Sequence, residues 1–147
     1  MKIIAKHKRA SFDYHLMERF EAGIVLKGTE VKSLRAGKVS LSEAFVEIDS
    51  NNEAYILNMN IPHYEFGNVN NHEEGRKRKL LLSKKQILEL YHKMKTGGLS
   101  LVPTIIYFKD SLVKVEIALA KGKKMHDKRQ AEAKKDIEKK LRQGKYD

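Results

Sequence analysis

The sequence predicts a mainly β domain with short helices, followed by a basic C-terminal tail. Short apolar, β-branched runs recur through residues 1–120 and end at glycines or polar turn residues, which is the pattern of short strands. Residues 121–147 hold 11 Lys or Arg against 5 Asp or Glu, or +6 of the chain's formal +11, and few apolar side chains. We therefore expect a folded domain over 1–120 and a tail over 121–147 that is disordered until it binds a partner.

The first half of the domain predicts a strand, a short helix and a hairpin. The run 21–26 is apolar and rich in β-branched residues, so it predicts a strand. Thr29 is placed to cap a helix that Gly37 can end. The apolar segments 44–48 and 53–57 flank a polar turn, which indicates an antiparallel hairpin.

A strand and the best-defined helix follow. The three leucines 80–82 predict a buried strand. Ser83, with Gln86 three residues later, matches a capping box, and an apolar stripe continues from there towards Gly97. The glycine pair beginning at Gly97 is expected to end this helix.

Two long strands complete the domain. They are predicted over 99–109 and 112–120, and Pro103 in the first indicates an edge or a bulge. Five or six short strands, with a helix before the last pair, favour an OB-like closed β-barrel. A β-sandwich is the alternative. Small OB barrels often bind RNA or DNA.

Composition restricts the function further. The chain carries 30 Lys+Arg against 19 Asp+Glu, with a pI near 9.7, and such an excess of cations points to an acidic partner. The absence of cysteine excludes disulfides, zinc ribbons and thiol nucleophiles. No apolar stretch is long enough for a secretion signal or a membrane span. We expect a monomeric cytoplasmic protein with no cofactor and no membrane contact.

The segment 76–79 is a run of four cations, Arg-Lys-Arg-Lys, directly before the three leucines. Like charges this close repel one another by roughly 1 kcal/mol per pair even in water. A polyanion bound at the start of the strand would relieve that repulsion, and nucleic acid is the common one. The alternative is a solvated charge run with no partner.

Histidines and glutamates in one segment raise the question of metal or acid–base chemistry. They are His63 with Glu65, and His72 with Glu73 and Glu74. A His-x-Glu pair occurs in zinc deaminases, but their cysteine ligands are missing here. A surface loop explains the segment better, although a metal-dependent nuclease stays open as a hypothesis.

The residues 23–35, Gly-Ile-Val-Leu-Lys-Gly-Thr-Glu-Val-Lys-Ser-Leu-Arg, resemble the signature of the small protein B family, the SsrA-binding proteins. The resemblance continues, in the family's order, through Asn71-His72, Arg76 to Leu82, Val102-Pro103, the segments 107–109 and 114–117, and the basic segments 120–124 and 127–129. The chain departs from the family at His7, where asparagine is common. This resemblance implies an OB-like barrel that grips the tRNA-like domain of transfer-messenger RNA (tmRNA).

The resemblance also implies a set of RNA-binding residues on the barrel. Glu30 would accept hydrogen bonds from a base edge or a 2′-hydroxyl, or would hold Lys32 and Arg35 in place; alone, it reads as a helix N-terminal acid. The expected barrel residues are Glu30, Lys32, Arg35, Asn71, His72, Arg76, Arg78, Lys79, Lys121, Lys123 and Lys124.

The resemblance assigns the tail to the decoding site and the empty mRNA channel of a stalled ribosome. Ala133, Ile137 and Leu141 recur every four residues among cations, so the tail can fold as a helix on contact with RNA. A merely solubilising tail is the alternative. The expected tail residues are His126, Asp127, Lys128, Arg129, Lys134 and Lys135. The competing function is a ribosomal or ribosome-assembly protein that binds ribosomal RNA.

Overall fold

The computed structural model describes residues 1–66 and 71–123, and these form one antiparallel sheet with three helices. The mainly β prediction is confirmed. None of the helices in these residues is long and apolar enough to cross a bilayer. The elements are β1 (Lys2–Lys6), α1 (Ala10–Asp13), β2 (Tyr14–Ile24), α2 (Gly28–Arg35), β3 (Phe45–Ile48), β4 (Ala54–Leu57), β5 (Arg78–Leu81), α3 (Lys84–Gly97), β6 (Ser100–Lys109) and β7 (Leu112–Gly122).

The hydrogen-bonded order of the seven described strands is β1-β6-β7-β2-β5-β4-β3. This order is open, because β1 and β3 lie at its two ends and do not pair with each other among the described residues. The prediction of a closed barrel is therefore not supported. The sheet nevertheless curls enough to bring the backbone of β3 close to that of β6, although the two strands are not hydrogen-bonded neighbours.

The local signals of the sequence account for the β3–β4 hairpin, α3 and the β6–β7 hairpin. In α3, Ser83 Oγ accepts from the backbone N–H of Gln86 at 3.2 Å, and the Gln86 side chain accepts from Ser83 N at 3.2 Å. Gly98 ends the helix at φ 60°. Asp110 and Ser111 take φ values of 50° and 69° between β6 and β7, as a tight hairpin requires.

Pro103 lies in an interior strand, since β6 pairs with β1 on one side and β7 on the other. The register against β7 shifts between Pro103 and Ile105, which marks a bulge. At this bulge Thr104 O accepts from the backbone of His7 at 2.8 Å, and Pro103 O lies 3.0 Å from Nδ1 of the same histidine. His7, the departure from the family pattern, therefore helps to attach β1 at the bulge.

The N-terminal part of the sheet differs from the prediction. The expected strand began at residue 21, whereas β2 begins at Tyr14, and β1 and α1 were not predicted. In the segment 14–20 the apolar residues are interrupted by His15 and by Glu18-Arg19, and all seven residues are half-buried or exposed, so it lacks the continuous apolar run by which a strand is detected. Its pairing with β7, from Tyr14 opposite Gly122 to Gly23 opposite Lys114, is what makes it a strand.

Candidate nucleic-acid interface

The first turn of α2 is closed by Glu30, not by Thr29. Lys27 is the N-cap residue, and its backbone N–H donates to Glu30 Oε1 at 2.7 Å. Thr29 Oγ1 instead lies 2.9 Å from Nδ1 of His72, so the expectation that Thr29 caps this helix is wrong. Gly37 does end it, at φ 75°, with its N–H bonded to Leu34 O at 2.9 Å. The helix is thereby fixed at both ends.

Glu30 is completely buried and binds two arginines of the basic run. Arg76 Nη2 donates to Oε1 at 2.6 Å, and Arg78 Nε donates to Oε2. Arg76 keeps 23% of its side-chain surface exposed, whereas Arg78 has none. We call these three residues the Glu30 cluster. The cluster joins the start of α2 to the start of β5 through charge-assisted hydrogen bonds, the strongest kind that side chains make.

Arg78 uses all of its N–H donors inside the protein. Besides Glu30, its guanidinium donates to the carbonyls of Met59 at 2.6 Å, Arg76 at 2.9 Å, Glu74 at 3.1 Å and Glu73 at 3.3 Å. A guanidinium has five N–H groups, and each has an acceptor here. Arg78 thus binds the loop that precedes β5 to the core and has no donor left to offer an RNA phosphate in this conformation.

The ionisation of the Glu30 cluster follows from this geometry. Burial by itself raises the pKa of Glu30, but hydrogen bonds from Arg76, the Lys27 backbone and Arg78 outweigh burial, so the pKa lies below its ordinary value. Burial lowers the pKa of Arg78 and the bond to Glu30 opposes that shift, while an arginine stays charged at any physiological pH. The cluster is an ion pair with a second arginine at its edge.

The lowered pKa of Glu30 predicts a specific loss of stability in acid. The carboxylate stabilises the fold fully above its unfolded pKa of about 4.3, and this contribution disappears as pH falls through the lower folded pKa. At pH 7 Glu30→Gln should cost about 3 kcal/mol because it leaves Arg78 buried without a counter-ion. In urea unfolding from pH 7 to pH 3, the gap between wild type and Glu30→Gln should narrow below about pH 4.

The control for this pH series is Glu43→Gln, which changes an exposed carboxylate. It should follow the wild-type profile throughout. A gap between wild type and Glu30→Gln that stays constant down to pH 3 would contradict the pKa argument.

Two side chains of the neighbouring loop act as internal supports. His72 is 1% exposed, and its Nε2 donates to Ile61 O at 2.8 Å. Asn71 Oδ1 accepts from the backbone N–H groups of Tyr64 and His72, both at 3.2 Å, and Asn71 Nδ2 donates to Tyr64 O at 2.9 Å. Both side chains therefore hold the segment 61–64 in place rather than pointing to solvent.

Four exposed cations of the candidate region lie on α2 and at the start of β5. Lys32 and Arg35 are exposed on α2. On β5 the side chains alternate, so Lys79 is exposed and pairs with Glu53 at 3.5 Å while its neighbour Arg78 points inward. Lys77 Nζ lies 4.3 Å from the ring centroid of Tyr55 on the same side as Lys79. We call these exposed cations (Lys32, Arg35, Lys77 and Lys79) the outer cations.

Comparison with known proteins identifies the family of the chain. A family model described as SmpB protein matches residues 4–146. The chain belongs to the SmpB family. An SsrA-binding protein of Carboxydothermus hydrogenoformans is 52% identical over 145 residues, covering 96% of this chain and 97% of that protein. An SsrA-binding protein of Pelobacter propionicus is 53% identical over 142 residues, covering 97% and 93%.

A solved structure agrees with the sequence relatives. It is described as "tmRNA-SmpB: a journey to the center of the bacterial ribosome", and one of its chains is 44% identical to this one. The two superpose with a TM-score of 0.69, over 86% of this chain and 92% of that chain. The resemblance drawn from the motifs is therefore confirmed over nearly the whole SmpB-family sequence.

The RNA-binding residues expected for an SmpB-family chain differ in their exposure in the structure. Glu30, His72 and Arg78 are buried, and Asn71 is half-buried with its amide bonded to backbone. Lys121 is exposed, and Lys123 is half-buried with its N–H bonded to Asp13 O at 2.9 Å. Outside the described residues lie Lys124, His126, Asp127, Lys128, Arg129, Lys134 and Lys135.

Sequence reasoning missed the partners of Glu30, which we expected to hold Lys32 and Arg35. A usable signal was present, because in a strand alternate residues face opposite sides. In the run 76–79 the arginines occupy one alternating set and the lysines the other. Arginine, with its planar fork, suits a buried carboxylate, whereas lysine suits a solvated surface.

The histidine and glutamate segment shows no metal-binding geometry in the part of the SmpB-family chain that the structure describes. His63 Nδ1 and Glu74 Oε1 are 3.8 Å apart, both at the surface. Within residues 1–66 and 71–123, no group of three or more His, Asp or Glu side chains could hold an ion. Nothing described here favours the nuclease hypothesis.

Proposed function

We propose that this chain binds the tRNA-like domain of tmRNA and delivers it to stalled ribosomes in the cytoplasm for trans-translation, as a non-catalytic, monomeric partner. The observation that carries the proposal is the Glu30 cluster. It joins α2 to the start of β5, so that the two elements carrying the outer cations are held in a fixed relation to each other. The names of the relatives, SsrA-binding proteins, and the tmRNA–SmpB structure support the identity of the RNA.

The site residues divide into contact and support. Cations at the surface lower the repulsion between closely spaced phosphates and release counter-ions when RNA binds. Folded RNA is read chiefly through its shape, its backbone and its unpaired bases, so the spacing of the cations decides which RNA fits. We assign contact with RNA to Lys32, Arg35, Arg76, Lys79, Lys121, Lys123 and Lys124, with Lys77 added, and support of that surface to Glu30, Asn71, His72 and Arg78.

The proposal extends to the architecture and to the tail. The curled sheet would act as an OB-like platform in which packing of β3 against β6 closes the curl. The expected boundary at residue 121 moves towards the C-terminus, because β7 includes Lys121 and Gly122. Residues 124–147 would form a separate unit, disordered until bound, that enters the decoding site and the empty mRNA channel. His126, Asp127, Lys128 and Arg129 would contact the decoding site, with Lys134 and Lys135 farther along the channel. Cations against ribosomal RNA supply the binding energy for that step.

The test is a comparison of two RNAs. We expect the chain to bind the isolated tRNA-like domain of tmRNA at least 100-fold (about 2.7 kcal/mol) more tightly than an ordinary tRNA, at physiological salt with excess competitor RNA. Equal, weak and steeply salt-dependent binding to both RNAs would contradict the proposal. That outcome would instead favour a ribosomal or ribosome-assembly protein that binds ribosomal RNA.

Two lysine variants show whether the outer cations form the contact surface. Lys77→Ala should weaken binding to the tRNA-like domain and reduce the slope of log K against log salt by roughly 0.7–0.9, the effect of one phosphate contact. Lys93→Ala is the matched control, because Lys93 is already paired with Glu18 at 2.7 Å and Glu89 at 3.1 Å. Its slope should equal that of the wild type. A slope unchanged in Lys77→Ala would remove Lys77 from the contact surface.

A further inference from the structure

An aromatic pair lies at the surface beside α2, where Lys32 contacts one of its rings. Phe66 is 79% exposed, although phenylalanine is among the residues most often buried. Its ring centroid is 5.7 Å from that of Tyr64, with the two planes at 69°. This is a favourable edge-to-face contact, so Phe66 is supported from one side and open to solvent on the other. We call Tyr64 and Phe66 the aromatic platform.

The platform is built on a fixed backbone. The amide side chain of Asn71 bonds to both the N–H and the carbonyl of Tyr64. Ser33 Oγ, on α2, donates to Pro62 O at 2.8 Å, and His72 bonds to the carbonyl before it, that of Ile61. The side chains of Ser33, Asn71 and His72 thus anchor the backbone of residues 61–64, the segment that ends at Tyr64.

A cation accompanies the rings. Lys32 Nζ, one of the outer cations, lies 5.3 Å from the ring centroid of Tyr64. Proteins that bind single-stranded nucleic acids commonly place an aromatic ring with an open face beside a cation. A base stacks on the ring, and the cation contacts the phosphate. An apolar protein partner would not need the charge.

We propose that the open face of Phe66 stacks on an unpaired base of the bound RNA, with Tyr64 supporting the ring and Lys32 meeting the adjacent phosphate. This inference rests on the proposed function, since it adds a base-stacking site to the same interface. It also gives the two bonds from Asn71 to the backbone of Tyr64 a role, because they keep the platform in a fixed position. Stacking tolerates any base, so the site selects for an unpaired nucleotide at this place rather than for its identity.

The experiment uses the absence of tryptophan from the chain. In Phe66→Trp, the full-length protein carries one indole, placed on the platform, and a base that stacks on it quenches its fluorescence. Two RNAs are titrated: the tRNA-like domain of tmRNA and a short single-stranded oligoadenylate. The affinity for the tRNA-like domain is also measured for Phe66→Ala and for the control Phe45→Ala. The control removes a phenyl group that is 40% exposed on β3. Thermal unfolding of each variant verifies the fold.

We expect both RNAs to quench the Phe66→Trp fluorescence. Phe66→Ala should bind the tRNA-like domain roughly 5- to 100-fold more weakly, while Phe66→Trp and Phe45→Ala should stay near wild type. Absence of quenching with both RNAs, or a folded Phe66→Ala with wild-type affinity, would overturn the stacking site even if the tRNA-like domain is preferred. Quenching by oligoadenylate without a preference for the tRNA-like domain would uphold stacking and contradict the proposed function.

Discussion

Replacing Arg78 by methionine should lower the free energy of unfolding by about 3–5 kcal/mol, the usual cost of removing one partner from a buried ion pair. The side chain has no exposed surface, and its loss leaves Glu30 with Arg76 as its remaining arginine partner and takes the Arg78 donor from the buried carbonyl of Met59. Methionine is apolar and flexible enough to fill the space. The loss therefore comes from unpaired polar groups more than from a cavity. Urea unfolding measures it directly.

The neighbouring lysine supplies a matched comparison. Lys79→Met makes the same replacement one residue along the strand, on the exposed face, where the pair with Glu53 is partly solvated. It should change stability by less than about 1 kcal/mol. Arg78→Lys should remain strongly destabilised, because one ammonium cannot replace five donors in a fixed fork. A loss under 1 kcal/mol in Arg78→Met would show that the Glu30 cluster does not hold the fold together.

Combining variants shows whether Glu30 and Arg78 act as a unit. Once Glu30→Gln has removed the charge, Arg78→Met no longer takes an ion-pair partner from a buried carboxylate. The double variant should therefore lose less stability than the two single losses added together, by about 0.5–3 kcal/mol for groups in direct contact. Strict additivity would mean that the two residues stabilise the fold independently.

Helix caps and turn residues in the sequence were enough to predict α3 and the last hairpin. The capping box at Ser83 and the glycines after residue 96 determine where α3 begins and ends, and the turn at Asp110 determines the last hairpin. These are decided by neighbours in sequence. Strand order is different, because whether β1 meets β3 depends on the curl of a sheet whose end strands lie about forty residues apart in sequence. The open edge could not be read from any local pattern.

In the candidate site, too, some features could be predicted from the sequence and others depended on the fold. The family resemblance placed Glu30 and the basic run in one set of expected RNA-binding residues, and the structure brings Glu30 together with Arg76 and Arg78. What the sequence did not show is which cation faces inward. A run of four cations suggests one charged surface, but the pleat of β5 places Arg78 in the core and Lys79 outside. Buried and exposed side chains therefore alternate along β5.

Removal of residues 125–147 should separate RNA binding from the step on the ribosome. The deletion takes away 8 Lys or Arg and 5 Asp or Glu, so the net charge falls only from +11 to +8. The core cluster lies wholly between Ala22 and Leu119. The truncated chain should therefore keep its thermal stability and bind the tRNA-like domain within about threefold of wild type, or under about 0.7 kcal/mol. Tagging of peptides on stalled ribosomes should fall to background.

A second variant distinguishes lost chemistry from lost length. Replacing residues 125–147 by a Gly/Ser segment of equal length restores the reach of the chain but none of its cations. If the tail acts by binding ribosomal RNA through its charges, this variant should fail in tagging as completely as the deletion. Recovery of tagging would mean that the length of the tail alone suffices. A loss of more than tenfold in affinity for the tRNA-like domain, in either variant, would place part of the tmRNA site in the tail. The outer cations would then be only one half of the interface, and the Glu30 cluster would support a smaller surface than proposed.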